Sequence, residues 1–173
     1  MKQKDLLFLP DYFDRYIELV DENSDLLDAL HASENVYEHV LAELTEFRDY
    51  RYAEGKWTPK EMILHVIDTE RILCYRALSL ARGEQKTLIG YDEDDYTQKS
   101  NANERSVENL LKEFKIVRQS SHVLFENFTP EMMHSAGICH ETKMTPLALG
   151  FVIIGHAEHH LSILKERYFS QAR

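Results

Sequence analysis

Hydrophobic positions along this chain recur at helical rather than strand spacing. Leu26, Leu27, Leu30, Val36, Tyr37, Val40, Leu41 and Leu44 fall at such intervals, which predicts a first long helix. Thr58-Pro59-Lys60-Glu61 sets a capping hydroxyl before a proline at the first helical position, and Glu61 completes a capping box. From Met62 to about Arg82 there is no Gly or Pro, and Gly83 marks the end of this second helix. Ser106 caps a third helix, from Val107 to about Asn127, with Leu110, Leu111, Phe114, Val117, Leu124 and Phe125 on its apolar face. Thr145-Pro146 opens a fourth, running to about Phe169. A short piece from Pro10 to about Val20 is expected to pack across the others, and Thr129-Pro130-Glu131 to form one more capped turn.

Four long helices in 173 residues predict an all-α four-helix bundle, a single domain over 1–173. No repeat, low-complexity tract or Gly/Ser linker divides it. The connection from Glu84 to Arg105 is long and polar, whereas simple up-down bundles use about 2–8 residues. Its length predicts a crossover that lets the second and third helices run parallel. Asp92, Asp94 and Asp95 in this segment resemble the start of a calcium loop. Tyr96 at the fifth position, Thr97 in place of the turn glycine and Asn103 at the twelfth argue against one, so the run reads as a solvated loop.

Composition narrows the class. With 43% hydrophobic and 29% charged residues the chain is that of a soluble globular protein. A formal net charge of −10 disfavours nucleic acid or an anionic membrane as the main partner, since both require basic patches. Cys74 and Cys139 form no CxxC pair, which fits a reducing cytosol better than a secreted disulfide framework. The apolar run before Pro10 is too short for a signal-peptide core, and the run near Leu147–Gly155 is broken by histidines short of a membrane span. The protein is therefore expected to be cytoplasmic, with no membrane partner.

The chemistry lies in nine histidines, three of them within His156-Ala157-Glu158-His159-His160. Residues four apart on a helix share a face, so His156 and His160 can aim two imidazoles at one ion. Their row carries Leu149, Val152, Ile153, Ile163 and Leu164, so the pair interrupts an apolar, core-facing stripe. Two buried imidazoles are costly unless hydrogen-bonded or ligated. The plainer alternative is a pair of core histidines satisfied by carbonyls or a carboxylate. His159 lies on a more polar row and reads as a rim residue. Glu158 points away, so this is not a peptidase HExxH motif. A third ligand has to come from another helix, and spacing leaves His65, His31, His39 and His122 open.

The stretch Tyr52-Ala53-Glu54-Gly55-Lys56-Trp57-Thr58-Pro59-Lys60-Glu61, followed by His65-Val66-Ile67-Asp68-Thr69-Glu70-Arg71, resembles the DinB-like superfamily, most closely its YfiT-like branch. Tyr75-Arg76-Ala77-Leu78, Arg82-Gly83 and Gly155-His156-Ala157-Glu158-His159-His160-Leu161 extend the resemblance over nearly the whole chain. It implies an up-down-down-up bundle with a divalent metal ion on one histidine of the second helix and two of the fourth. By position these are His65, His156 and His160. It also implies a homodimer and a small-molecule substrate, since relatives include metal-dependent hydrolases and transferases of low-molecular-weight thiols. Zinc or nickel is the expected ion.

Three histidines leave coordination positions open, as catalytic rather than structural sites do. Asp68 and His159 are candidate supporting or proton-handling groups, and Arg71 or Arg76 could orient an anionic thiol. Cys74 reads as a small core residue. The reading from a different class is a non-enzymatic metal-stabilised helical dimer or small-ligand-binding module.

Overall fold

A computed structural model describes residues 1–172. Its elements are α1 (Asp14–Ile17), α2 (Leu26–Ala32), α3 (Leu41–Glu46), α4 (Pro59–Ala81), α5 (Glu93–Gln98), α6 (Val107–Glu126), α7 (Pro130–Met133), β1 (Gly137–Cys139), β2 (Thr142–Met144) and α8 (Pro146–Ile163). The long helices begin where the capping residues stand. Thr58 Oγ1 accepts from the Glu61 amide while Glu61 accepts from the Thr58 amide, and Ser106 and Thr145 cap α6 and α8 through the amides of Asn109 and Ala148. Gly83 follows α4 with φ +84°, the left-handed conformation that ends helices.

Side-chain pairings give the direction of each helix. Along α4, Arg71 and Cys74 meet Glu113 and Ser121 of α6, and just past its end Arg82 meets Met132 of α7, so α4 and α6 run parallel. Trp57 and His65 meet Tyr168 and His156, so α4 and α8 are antiparallel. Glu34 and Glu38 meet Gln119 and Lys115, which sets the first helical path against α6. The result is the up-down-down-up bundle expected from the long crossover.

Three features depart from the periodicity. The first helix is not continuous: 3₁₀ turns at Ser33–Asn35 and Glu38–Val40 separate α2 from α3. Ser33 Oγ donates back to the Ala29 and Leu30 carbonyls, a bond pattern that bends helices, and it also receives the Arg118 guanidinium. The acidic run is not a bare loop, because Asp92 caps α5 by accepting from the Asp95 amide. A two-stranded hairpin, β1–β2, precedes α8. Leu88 of the crossover joins it through bonds from the Leu88 amide to the Ile138 carbonyl and from the His140 amide to the Leu88 carbonyl. At the other end of α8 the helix continues from Leu164 to Tyr168 with wider π-type turns.

α8 is the central helix, and its length and apolarity alone would suit a membrane span. Here 78% of its most apolar window is buried inside the bundle, as a core helix requires. The core falls into two apolar clusters, one around Leu26, Leu73, Phe125 and Phe151, the other around Tyr37, Ile67, Phe114 and Leu164. Between them lies a polar layer. Arg118, fully buried, makes a two-pronged bond to Glu70 and also reaches Ser33, while Ser121 donates to Glu70.

Candidate metal centre

His156 and His160 stack one turn apart on α8, and α4 brings His65 against them. His156 Nε2 stands 3.2 Å from His65 Nε2 and 3.0 Å from His160 Nε2, and all three atoms lie within 4.8 Å of one another. His156 and His160 are buried and His65 half-buried. Burial holds His65 down to about 4, and it pushes His156 and His160 well below the ordinary histidine range, aided by the neighbouring imidazoles. All three are therefore neutral at pH 7, the form that ligates metals.

Protein groups alone do not satisfy this arrangement. A neutral imidazole has one N–H and one lone pair, so His156 Nε2 can answer only one of the two nitrogens facing it. His160 Nδ1 is also buried without a partner among the described residues. The convergence fits a cation: a tetrahedral ion with metal–nitrogen bonds of about 2.0 Å spaces its nitrogens about 3.3 Å apart. Metal-binding histidines usually have an outer hydrogen bond that fixes the tautomer. For His160 the described residues supply none, and the rings packed around it hold its orientation.

That packing is specific. At Gly155 a Cβ would lie 1.8 Å from the Tyr16 carbonyl oxygen, so α1 crosses α8 closely enough to exclude any side chain there. The crossing sets the Tyr16 ring edge-on at 5.3 Å from both His156 and His159. On the opposite side the Trp57 ring lies 4.7 Å from that of His65. Trp57 is fixed at both ends, its carbonyl accepting from Tyr168 and its indole N–H donating to Asp94 of the crossover.

The histidines open into a cavity of about 610 Å³. Its floor is one stripe of α4, His65, Thr69, Leu73 and Arg76. One wall is Tyr12, Phe13, Arg15 and Tyr16, and the crossover (Gly90, Tyr91, Glu93) and the hairpin (Cys139 to Thr142) supply the other. Thr69 and Tyr91 share a 2.5 Å hydrogen bond across it.

The structure thus brings together His65, His156 and His160, and leaves the other candidates elsewhere. His31 pairs with Glu34 at the surface beside His122, and His39 is exposed. Asp68 lies in a separate depression and pairs with Arg71, which also binds Glu113. His159 is half-buried with its ring 5.2 Å from that of His160, outside the cavity lining. Cys74 packs in the core donating to Ser121, and burial pushes its thiol up to about 11, so it is not poised as a nucleophile. Of the two arginines expected to orient an anion, Arg76 lines the cavity and Arg71 does not, while Thr69 and Tyr91 had not been singled out in the sequence. The stripe at 65, 69, 73 and 76 was a usable signal, since steps of four, four and three keep one helical face.

Residues 29–164 match the model of the DinB superfamily, so the chain belongs to that superfamily. Among solved structures it is similar to YfiT from Bacillus subtilis, described as "a probable metal-dependent hydrolase with an unusual four-helix bundle topology". The TM-score is 0.70 at 15% identity, over 92% of this chain and 87% of that one, a likeness of fold. No curated protein matches the sequence.

Proposed function

We propose that this protein is a metal-dependent enzyme acting on a small molecule, either a hydrolase or a low-molecular-weight thiol S-transferase. The observation that carries the reading is the convergence of three neutral imidazoles, two buried and one half-buried, at the wall of a 610 Å³ cavity. Their donor set suits a divalent ion of the zinc or nickel kind. Such an ion, when bound, supplies Lewis acidity that favours the deprotonated form of a water or thiol. The chain's own residues do the rest. His65, His156 and His160 hold the charge at one end of the cavity, and Tyr16 and Trp57 fix two of the rings. The Thr69–Tyr91 pair presents hydroxyls to a bound molecule. His159, beside His160, is the imidazole placed to exchange protons with solvent, because it is partly exposed. The same reading takes the protein as a cytoplasmic homodimer, which sedimentation at micromolar concentration would check.

The test is metal content by mass spectrometry on wild type and on His65→Ala, His156→Ala and His160→Ala, with Trp57 fluorescence as a second readout. Trp57 is the only tryptophan and touches His65, so nickel should quench it in wild type alone. The expected result is near one equivalent in wild type and little in each variant. Wild type that stays metal-free after reconstitution would remove the basis of the proposal.

A further inference from the structure

Arg76 is a buried cation without a counter-ion. The residue is 6% exposed, yet no carboxylate lies within salt-bridge distance among the described residues. One of its nitrogens, Nη2, donates to the Ile89 carbonyl at 2.8 Å, and Nε is fully buried with no partner. A guanidinium offers five N–H donors, so most of this one's capacity is unused. Burying a charge in that state is costly unless something else answers it. Glu93 and Glu141 line the same cavity but are exposed and make no ion pair with it.

Its position says what that something is. Arg76 lies eleven residues after His65 on α4, close to three full turns, so both project from one face into one cavity. At 1.5 Å per residue their Cα atoms are about 16 Å apart along the helix. The Thr69 and Tyr91 hydroxyls lie between them, and buried Cys139 faces the same space. At the mouth Arg15, bonded to Tyr16, is a second cation with no carboxylate partner among the described residues.

We propose that Arg76 is the anion receptor of this cavity. It binds a carboxylate or phosphate group at one end of an elongated small molecule whose other end reaches His65, His156 and His160. The recognising chemistry is an oxyanion accepting from the guanidinium N–H groups that the Ile89 bond leaves free, which supplies the missing counter-charge. The inference rests on the proposed function only in taking that molecule to be the substrate. Anion binding by Arg76 requires no metal.

The experiment uses the full chain freed of metal with EDTA. Acetate, inorganic phosphate and neutral acetamide are titrated while the Arg76 side-chain Nε–H resonance is followed by NMR. That resonance is assigned by its absence from Arg76→Lys. Saturable shifts with acetate or phosphate and none with acetamide are expected, and the tighter anion identifies the class. By calorimetry, Arg76→Met should weaken that anion at least tenfold, Arg76→Lys less, and His160→Ala not at all. If neither anion moves the wild-type resonance, or if calorimetry finds equal affinity in a folded Arg76→Met, the inference is overturned. The wild-type titration decides the matter even if Arg76→Met does not fold. Anion binding in a protein that takes up no metal would sustain Arg76 and sink the enzyme reading; the reverse pattern would do the opposite.

Discussion

Two polar groups interrupt the core of this bundle, and they are built in opposite ways. Around Arg118 each charge is answered: Glu70 accepts in a two-pronged bond, Ser33 and Ser121 fill remaining positions, and the Ile153 carbonyl accepts a further, longer bond. Around His156 the groups face one another without mutual satisfaction, and farther along α4, past His65, Arg76 has an orphaned Nε. The first group takes no part in the cavity that the histidines open into; the second lines it. A satisfied buried network ties helices together, whereas an unsatisfied one is complete only when something binds. The same chain contains both, so burial of polar groups does not by itself mark a functional site. Unmet hydrogen-bonding capacity beside a cavity does.

The largest effect that would break this contrast is at the satisfied network. Arg118→Met should destabilise the fold by about 3–5 kcal/mol in urea unfolding, because Glu70 is left buried and unpaired. Adding Glu70→Leu should recover most of that loss. Ser33 and Ser121 keep their bonds to their own helix carbonyls, so the double variant leaves them satisfied. A double variant as unstable as the single would mean that the network does more than cancel its own charges.

The histidine group should show itself in pH dependence. Free histidine titrates near 6.5, and burial holds His65 at about 4 in the folded protein. Below pH 6.5 the unfolded chain therefore takes up protons that the folded one refuses, and stability falls as pH drops. In metal-free protein His65 alone should cost about 1.4 kcal/mol per pH unit between 6.5 and about 4, with its contribution complete above 6.5. Urea midpoints at pH 7 and 5 would measure this, and His65→Ala should flatten the slope. Equal slopes in both proteins would show that His65 is not desolvated.

A smaller effect is expected at the crossing that shapes the site. Gly155→Ala forces α1 away from α8 and should cost about 1–3 kcal/mol in thermal or urea unfolding while weakening metal uptake. An unchanged variant would mean that α1 moves freely and does not hold His156. The smallest belongs to Asp68. Its partly exposed pair with Arg71 lies outside the cavity, so Asp68→Asn should change stability by less than about 1 kcal/mol and leave metal content at the wild-type level. Loss of metal in this variant would draw Asp68 into the site by a route the structure does not show.

Much of this was legible in the chain because it depends on neighbours in sequence. The Thr58–Glu61 box, the Ser106 and Thr145 caps and Gly83 mark helix ends through contacts within four residues, and the helices end there. His156 and His160 share a face for the same local reason. The length of the 84–105 connection was enough to predict parallel helices, since chain reach limits what a loop can join. Local signals failed where a distant partner decided. Ser33 reads as an ordinary helical position, and the guanidinium that meets it where the first helix breaks comes from Arg118, 85 residues away. The β1–β2 hairpin has no Asn-Gly turn to announce it, and His140 adopts φ +58° with its backbone bonded to Leu88.

The sequence by itself determined the three capped long helices, the crossover and a stacked histidine pair facing inward, because each follows from periodicity, chain reach and short-range hydrogen bonding. Which third histidine meets that pair was beyond spacing alone, and only the packing of α4 on α8 brings His65 rather than His31, His39 or His122 to it. The same packing decided that Arg118 would find a carboxylate and Arg76 would not. Both are arginines on amphipathic helices, and nothing local distinguishes them. Whether a buried charge is answered depends on which residues of other helices lie within about 3 Å, a distance set by tertiary structure.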